Sequence, residues 1–351
     1  MSPRPGVSGA RRLTWFFVVL AIAAYGSQIE GRSPSLLAPT SPLPSPTQLS
    51  PASEADNPFG LMLGARGLNP EERVRLVQQL GATYFRPNSV YVQDWQGVCA
   101  DCDAAQQAGL RLILTVRNNG GAGRASTPPD DLEAYSRTLG MILDQVRPAL
   151  LIVENEENSS LFFTGTPEEY GAELKAACSA AHARGIQCAN GGLVSKLVAL
   201  LVYQHYSDAG DTARAQSFAA RTFADSDHSR LDSPRVDEQI QKGRALLQVY
   251  RDSGADYINF HWYIADPAAL AEAADFLSLQ TGLPVMTNEI GQHDRSPETV
   301  RQLMAAVVQL ALPYAVWFSV DGPQAQGLMD PDGTLRDNGL AFQQFIGRQF
   351  D

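Results

Sequence analysis

The sequence predicts an α/β protein, a (β/α)8 TIM barrel with an insertion after the fifth strand. From residue 58 onward, short apolar runs alternate with amphipathic stretches, which is typical of repeated βα units. The apolar runs lack period-two alternation, as expected of strands that are covered on both faces. The 351 residues leave room for one barrel of roughly 250 residues and an N-terminal tail.

The composition limits the classes of partner. Apolar residues make up 44% of the chain and charged residues 19%, so a large core is expected and wholesale disorder is excluded. The formal net charge of -11 argues against a nucleic-acid surface. We predict no nucleic-acid partner and a monomer.

The N-terminal region has the pattern of an export signal. Arginines precede an apolar run over residues 15–25, and small residues follow at Ala24 and Gly26. This run is shorter than the roughly 20 residues of a membrane span, so residues 1–26 are predicted to be a cleaved signal peptide, with an uncleaved anchor as the alternative. Residues 27–57 form a Pro/Ser-rich linker. The barrel, residues 58–351, is therefore expected to be secreted, periplasmic or tethered at the cell surface.

Four cysteines lie within the barrel region. In an exported protein, Cys99 and Cys102 are close enough in sequence for a local disulfide, whereas Cys178 and Cys188 are expected to be core thiols. A zinc site is disfavoured, because the second pair lacks close spacing and no His joins either pair. We predict no metal and no cofactor.

The first four strands follow from their turn signals. Residues 59–64 form the first strand, and the helix behind it begins at Asn69-Pro70, an N-cap and an N1 proline, and ends at Gly81. Residues 82–86 form the second strand, and Trp95 follows on its loop. Residues 110–116 form the third strand. The fourth, residues 149–153, runs directly into a cluster of acids and amides.

The second half of the chain continues the pattern. Thr166 begins a capping box before the helix that precedes the fifth strand, residues 186–192. About 60 residues then exceed a normal crossover, so residues 207–243 are predicted to be an insertion over the barrel mouth. His205 and His228 near it are expected to be solvated loop residues. Residues 257–263, 283–289 and 314–320 form the last three strands, Ser296 caps the helix after the seventh, and residues 338–350 form the last helix.

Two of these strands end in glutamates. Asn155-Glu156 follows the fourth strand, and Glu289 ends the seventh. The C-terminal ends of barrel strands lie on one face, so the two acids are expected to share a site. Two facing carboxylates suit glycosidic bond cleavage, in which one protonates the leaving oxygen and the other stabilises or captures the oxocarbenium-like centre. For either acid alone, capping a helix or binding an arginine remains an alternative.

Residues 58–351 resemble the retaining glycoside hydrolases of clan A, such as families 5 and 39. Five motifs in the expected order carry the resemblance. They are Arg86 ending strand two, Asn155-Glu156 ending strand four, His261-Trp-Tyr263 on strand six, Glu289 ending strand seven, and Trp317 on strand eight.

The resemblance implies roles for these residues. Glu289 would be the nucleophile, held ionised by bidentate pairing with Arg86 and oriented by Tyr263. Glu156 would be the acid/base, and Asn155 would bind the sugar 2-OH. Apolar rings for the sugar would come from the strand-eight tryptophan, together with Trp95 and Trp262. The implied substrate is an oligo- or polysaccharide.

The chain departs from this pattern at two places. Many relatives carry a His at the end of strand three, where this chain has Asn118-Asn119, and a Pro after the acid/base, where it has Glu157. The extra charges of Glu154 and Glu157 are expected to favour a protonated Glu156. Two alternatives stay open: a barrel that binds glycan without cutting it, and a metal-dependent hydrolase, which the lack of an HExxH-like cluster disfavours.

Overall fold

The computed structural model describes residues 57–350, except residues 65–66, 122, 322–326 and 331. The predicted signal peptide, and the linker up to residue 56, lie outside the described residues. Within them, none of the helices combines the length and the apolar character that a membrane crossing requires.

Parallel strands form the centre of the fold. Along the sheet their order is β6-β5-β4-β2-β1-β9-β8-β7, and two isolated parallel bridges, Ala189 with Tyr257 and Leu193 with Phe260, join β6 to β7 and nearly close the ring. A short extra strand, β3, pairs with the end of β4. The described strands are β1 Phe59–Met62, β2 Tyr84–Arg86, β3 Val90–Tyr91, β4 Arg111–Arg117, β5 Leu150–Val153, β6 Gln187–Asn190, β7 Ile258–Trp262, β8 Val285–Ile290 and β9 Ala315–Trp317.

Helices alternate with these strands and form the outer layer, which confirms the predicted (β/α)8 TIM barrel. The predicted N-caps are present: Asn69 and Thr166 each complete a capping box, and the Ser296 side chain accepts from the backbone N–H of Thr299. The described helices are α1 Pro70–Gln79, α2 Ala100–Gln107, α3 Leu132–Val146, α4 Pro167–His182, α5 Ser195–Asp208, α6 Thr212–Thr222, α7 Asp225–His228, α8 Pro234–Asp252, α9 Pro267–Thr281, α10 Pro297–Gln309 and α11 Asp337–Gln349.

Side chains fill the inside of the barrel. Tyr84, Ile113, Leu150, Met286 and Val316 are among those that form a separate buried cluster there. A larger cluster lies between the strands and the helices. The barrel is therefore a packed core rather than a pore, and a substrate site has to form at the rim.

The predicted insertion is present after β6, but its two long helices pack on the outside of the barrel, and only the segment between them lies beside the rim, where Asp227 pairs with Lys196. Helix α6 packs on α5 and α9, and α8 packs on α4, α5 and α9, so both belong to the outer helical layer. Their apolar faces, including the fully buried Phe218, explain this packing. His205, expected in a loop, lies in α5 with its ring centroid 5.5 Å from that of Phe276. His228 ends α7, whose Asp227 pairs with Lys196.

All four cysteines form disulfides. Cys99 pairs with Cys102, as predicted. The prediction of free core thiols at Cys178 and Cys188 is wrong, because α4 and β6 bring their Cα atoms to 5.3 Å and the two residues form a second disulfide. That distance lies within the range that a disulfide requires.

Candidate active site

Glu156 and Glu289 meet at the C-terminal end of the barrel. His261 on β7 lies between them, with Nδ1 2.9 Å from Oε1 of Glu156 and 3.3 Å from Oε2 of Glu289. One carboxyl oxygen of Glu156 and one of Glu289 lie within 4.8 Å of each other. The structure thus brings the two sequence-predicted acids into one site.

A tight turn after β5 sets the position of Glu156. Both Glu154 and Glu156 have positive φ, 67° and 44°. For non-glycine residues this left-handed conformation costs about 1–2 kcal/mol each, and it is concentrated at functional sites. The backbone carbonyl of Glu156 accepts from the N–H of Ser159, and its own N–H donates to the carbonyl of Gly191. The turn holds the carboxyl group of Glu156 at the rim, where it remains partly exposed.

Glu289 is surrounded by hydrogen-bond donors. Arg86 Nη1 donates to its Oε1 at 2.7 Å, and the Tyr263 hydroxyl donates to its Oε2 at 2.7 Å. Burial raises the pKa of Glu289, but the charges of His261 and Arg86 and the bond from Tyr263 outweigh burial, so that the pKa is lowered. The result is a buried carboxylate that stays ionised.

Arg86 connects Glu289 to the neighbouring strands. Its Nε donates to Thr115 Oγ1 and its Nη2 to Asn155 Oδ1, both at 3.1 Å. The expected bidentate pairing with Glu289 is wrong, because only Nη1 reaches that carboxylate while Nη2 orients the Asn155 amide. Asn155 itself lies at the rim and is partly exposed.

His261 is completely buried between the two acids. Burial disfavours its imidazolium form, but the negative charges of Glu289 and Glu156 outweigh this cost, so the pKa of His261 is raised. A proton held between the two carboxyl groups is thereby favoured.

The expected crowding of Glu156 by its neighbours does not occur. Glu154 turns inward and accepts from the backbone N–H of Asn118 at 2.6 Å and from Ser126 Oγ at 2.7 Å, and burial raises its pKa to about 7. Glu157 turns toward α8 and β6, where its Oε1 accepts from the Tyr250 hydroxyl and from Asn190 Nδ2. The residue that directly contacts Glu156 is the histidine on β7.

The asparagines at the end of β4 serve the loop that follows it. Asn118 Nδ2 donates to the carbonyl of Thr127, and Asn119 Nδ2 donates to Thr127 Oγ1, each at 2.9 Å. Asn118 is almost fully buried. These contacts give the two residues a structural role in residues 118–127.

The tryptophan predictions are only partly supported. The prediction that Trp317 lines the site is wrong, because its fully buried ring packs edge-on against Phe342 of α11 with centroids 5.7 Å apart. Trp262 is also fully buried, against Phe260. Trp95 is partly buried and lines two adjoining clefts at the rim. Of the three predicted tryptophans, Trp95 is the one that a ligand can reach.

Sequence reasoning missed two residues at the site. Phe318, next after the predicted strand-eight tryptophan, has its ring 6.0 Å from that of Tyr263. Asn288 is buried and its Oδ1 lies 3.0 Å from His261 Nε2. The available signal was an asparagine next to the predicted nucleophile in a strand expected to be buried, since a buried amide needs a specific partner.

The site does not favour a metal ion. Within the described ranges, Glu156, His261 and Glu289 are the one set of His, Cys, Asp or Glu side chains with donor atoms close enough to share a cation. However, the guanidinium of Arg86 already neutralises Glu289 at 2.7 Å. A second cation beside it would be repelled.

Comparison with known proteins gives a fold but no family. No protein-family model matches this chain, and no curated protein matches its sequence. Among solved structures, an endo-β-1,4-mannanase from Thermotoga petrophila aligns with 84% of this chain and 77% of its own, at 10% identity and a TM-score of 0.52.

Two further structures give the same result. The β-glycosidase BGL167 aligns with 80% of this chain and 86% of its own, at 14% identity and a TM-score of 0.51. A family 30 subfamily 8 xylanase from Clostridium acetobutylicum aligns with 82% of this chain and 70% of its own, at 13% identity and a TM-score of 0.50. At these identities the likeness shows a shared fold, and it confirms the resemblance to glycoside hydrolase barrels at that level.

Proposed function

We propose that this protein is a retaining glycoside hydrolase that uses Glu289 as nucleophile and Glu156 as acid/base. The observation that carries the proposal is the pair of carboxyl groups on either side of one imidazole, with oxygens within 4.8 Å of each other. One carboxyl is held ionised by buried donors, and the other is partly exposed at the rim. Such a difference in environment is what divides acid and nucleophile roles between two carboxyl groups.

The separation of the acids favours retention over inversion. Retaining enzymes place the two carboxyl groups about 5–5.5 Å apart, whereas inverting enzymes need about 6.5–9.5 Å to admit a water. Carboxyl oxygens within 4.8 Å of each other match the shorter, retaining spacing and leave too little room for both a sugar and an attacking water between the two carboxyl groups. Direct attack by the carboxylate is therefore the better fit.

The proposed reaction has two displacements. In the first, an oxygen of Glu289 attacks the anomeric carbon, the bond to the leaving oxygen breaks, and that oxygen takes the proton of Glu156. In the second, Glu156 removes a proton from water, the water oxygen attacks the same carbon, and Glu289 is released as a carboxylate. Two inversions restore the starting configuration and return both side chains to their initial states.

The substrate class that fits this site is an oligo- or polysaccharide. Trp95 lines two clefts at the same end of the barrel, neither of them lined by the two acids, and its ring is suited to contact further sugars of a chain. The mannanase and the xylanase that share the fold are both named for polymeric glycans. Export fits as well, since two disulfides are typical of an oxidising compartment.

A polysaccharide panel tests the proposal. The purified protein is incubated with β- and α-linked glycans and aryl glycosides, reducing ends are quantified, and the first-formed anomer is read by ¹H NMR. We expect product with the configuration of the substrate from the wild type and none from Glu289→Gln. Product of inverted configuration would overturn the mechanism, and glycan binding without product would favour the non-catalytic alternative.

A further inference from the structure

Three buried asparagines form a hydrogen-bonded chain that ends at the active site. Asn190 on β6, Asn259 on β7 and Asn288 on β8 are each fully buried and lie on adjacent strands. We refer to these three residues as the amide chain. The two-glutamate reaction does not use it, yet its last member contacts His261.

Backbone groups determine the orientation of Asn259. Its Oδ1 accepts from the backbone N–H of Asn288 at 2.9 Å, and its Nδ2 donates to the backbone carbonyl of Asn190 at 2.9 Å. A backbone N–H can only donate and a backbone carbonyl can only accept. Flipping the Asn259 amide would break both bonds, so its oxygen and nitrogen are assigned by the fold.

This orientation determines the next amide. Asn259 Nδ2 also donates to Asn288 Oδ1, at 2.7 Å. The Asn288 atom that faces this donor has to be the oxygen, and the same oxygen lies 3.0 Å from Nε2 of His261. Because a carbonyl oxygen only accepts, Nε2 has to carry a proton.

Close packing leaves Nε2 no other arrangement. Gly192 has φ +102°, and a Cβ at that position would lie 2.4 Å from His261 Nε2. The imidazole edge is therefore held against the backbone, with the Asn288 oxygen as its partner. The ring cannot turn over without losing this contact.

The other ring nitrogen then becomes the site of proton exchange. With Nε2 protonated, Nδ1 of a neutral His261 is an acceptor, and it lies 2.9 Å from Glu156 Oε1. Glu289 is already accepting from Arg86 and Tyr263. The proton on the Nδ1 side therefore belongs either to the imidazole or to Glu156, and it moves along one hydrogen bond.

We infer that Asn288 is a positioning residue for the proposed reaction: it keeps the proton of His261 on Nε2, so that Nδ1 and Glu156 share the proton that the leaving group receives. The inference rests on the proposed function. Without the Asn288 oxygen, a neutral His261 can hold its proton on Nδ1 instead, donate it to the carboxylates, and leave Glu156 ionised. The general acid would then be lost although both glutamates remain.

Several charged or titratable groups face this proton. Glu156, Glu289 and Glu157 act on His261 with negative charge, Arg86 acts with positive charge, and the hydroxyl of Tyr263 shares Glu289. The negative charges outweigh the positive charge of Arg86 and the cost of burial, so the imidazolium form of His261 is favoured. We expect Asn288→Ala to lower the pH at which the basic limb of kcat/KM begins, because the imidazolium of His261 then loses the Asn288 oxygen that accepts from its Nε2.

Leaving-group dependence tests the inference by kinetics. In Asn288→Ala we expect kcat/KM to fall about 100-fold on an unactivated glycoside, the usual scale of general acid catalysis, and less than about fivefold on a dinitrophenyl glycoside. Asn338→Ala removes a fully buried amide in α11 and is the matched control, with both values close to wild type. An equal fall on both substrates would overturn the inference, since general disruption of the site predicts that result.

A second measurement observes the tautomer in the wild-type protein and does not depend on activity. ¹⁵N-histidine NMR between pH 5 and 9, with the signal assigned by its loss in His261→Gln, reports which nitrogen is protonated. We expect Nε2 to stay protonated throughout while Nδ1 titrates. A neutral form with its proton on Nδ1 would overturn the inference. If the wild type cleaves no glycoside, the proposed function fails, and the NMR result still decides the tautomer.

Discussion

Replacing Arg86 by Met should move the acidic limb of the pH–rate profile to higher pH. Burial raises the pKa of Glu289, and Arg86 is one of the groups that lower it, so removing the guanidinium raises it. The ion pair is 2.7 Å long and its side chains are 3% and 9% exposed, so the free-energy cost of breaking a buried ion pair applies. Removing one partner of such a pair costs about 3–5 kcal/mol.

This cost predicts a large kinetic effect. If most of it is lost from the ionised form of Glu289, kcat/KM on the acidic side of the limb should fall about 10²- to 10³-fold, at 1.36 kcal/mol per factor of ten. The same pKa also determines how stability depends on pH. The lowered pKa of Glu289 stabilises the wild type above its unfolded-state value of 4.5. That stability is lost as the pH falls through the folded pKa, and Arg86→Met should remove part of it.

Arg117→Met is the matched control. Arg117 is buried and pairs with Glu154 at 3.3 Å, but it contacts neither proposed catalytic acid. We expect a comparable loss in the free energy of unfolding and an acidic limb that stays in place. The profile of kcat/KM against pH and thermal denaturation of both variants supply the data. An Arg86→Met enzyme with an unshifted limb and activity within threefold of wild type would refute the role assigned to Arg86.

Three further predictions follow from the fold. Trp317→Ala should lower the free energy of unfolding by about 3–5 kcal/mol and leave KM for glycans unchanged. Trp95→Ala should instead raise KM, most of all for long oligosaccharides. The reverse pattern in thermal melting and kinetic data would contradict both placements. Cys178→Ser should cost about 2–3 kcal/mol, and dithiothreitol should lower the melting temperature of the wild type more than that of this variant, which keeps only the Cys99–Cys102 disulfide. The pKa of Glu173 is raised well above its ordinary value by burial and by a neighbouring carboxylate, so wild-type stability should fall as pH rises through that pKa. Glu173→Gln should remove this loss, and parallel melting curves of variant and wild type from pH 5 to 9 would count against it.

The barrel was predictable because each element carries local signals. Apolar runs without alternation mark strands that are buried on both faces, and Asn69 and Thr166 mark helix starts through side-chain capping. Because those strands are apolar on both faces, the sequence does not show which side chains point into the barrel and which point toward the helices. Residues 314–320 give no sign of which side chains face inward, and the structure turns Trp317 outward and Phe318 toward the site. A register error of one residue reverses every side chain of a strand.

The placement of Glu156 and Glu289 was predictable from strand order, because parallel strands end on one face. The environment of Glu156 was not, because its neighbours lie in a left-handed turn that sends Glu154 and Glu157 away from it. The amide chain and the disulfide of Cys178 depend on distances between elements. Sequence spacing does not contain those distances.

Azide rescue tests the central claim, the division of roles between Glu156 and Glu289, most directly. With a dinitrophenyl glycoside, the leaving group needs no protonation, so Glu156→Ala should form the glycosyl-enzyme and stall there. Added azide should restore turnover and give a glycosyl azide of retained configuration, while Glu289→Ala should form no covalent intermediate. Retained azide product from Glu289→Ala, with none from Glu156→Ala, would contradict the assignment.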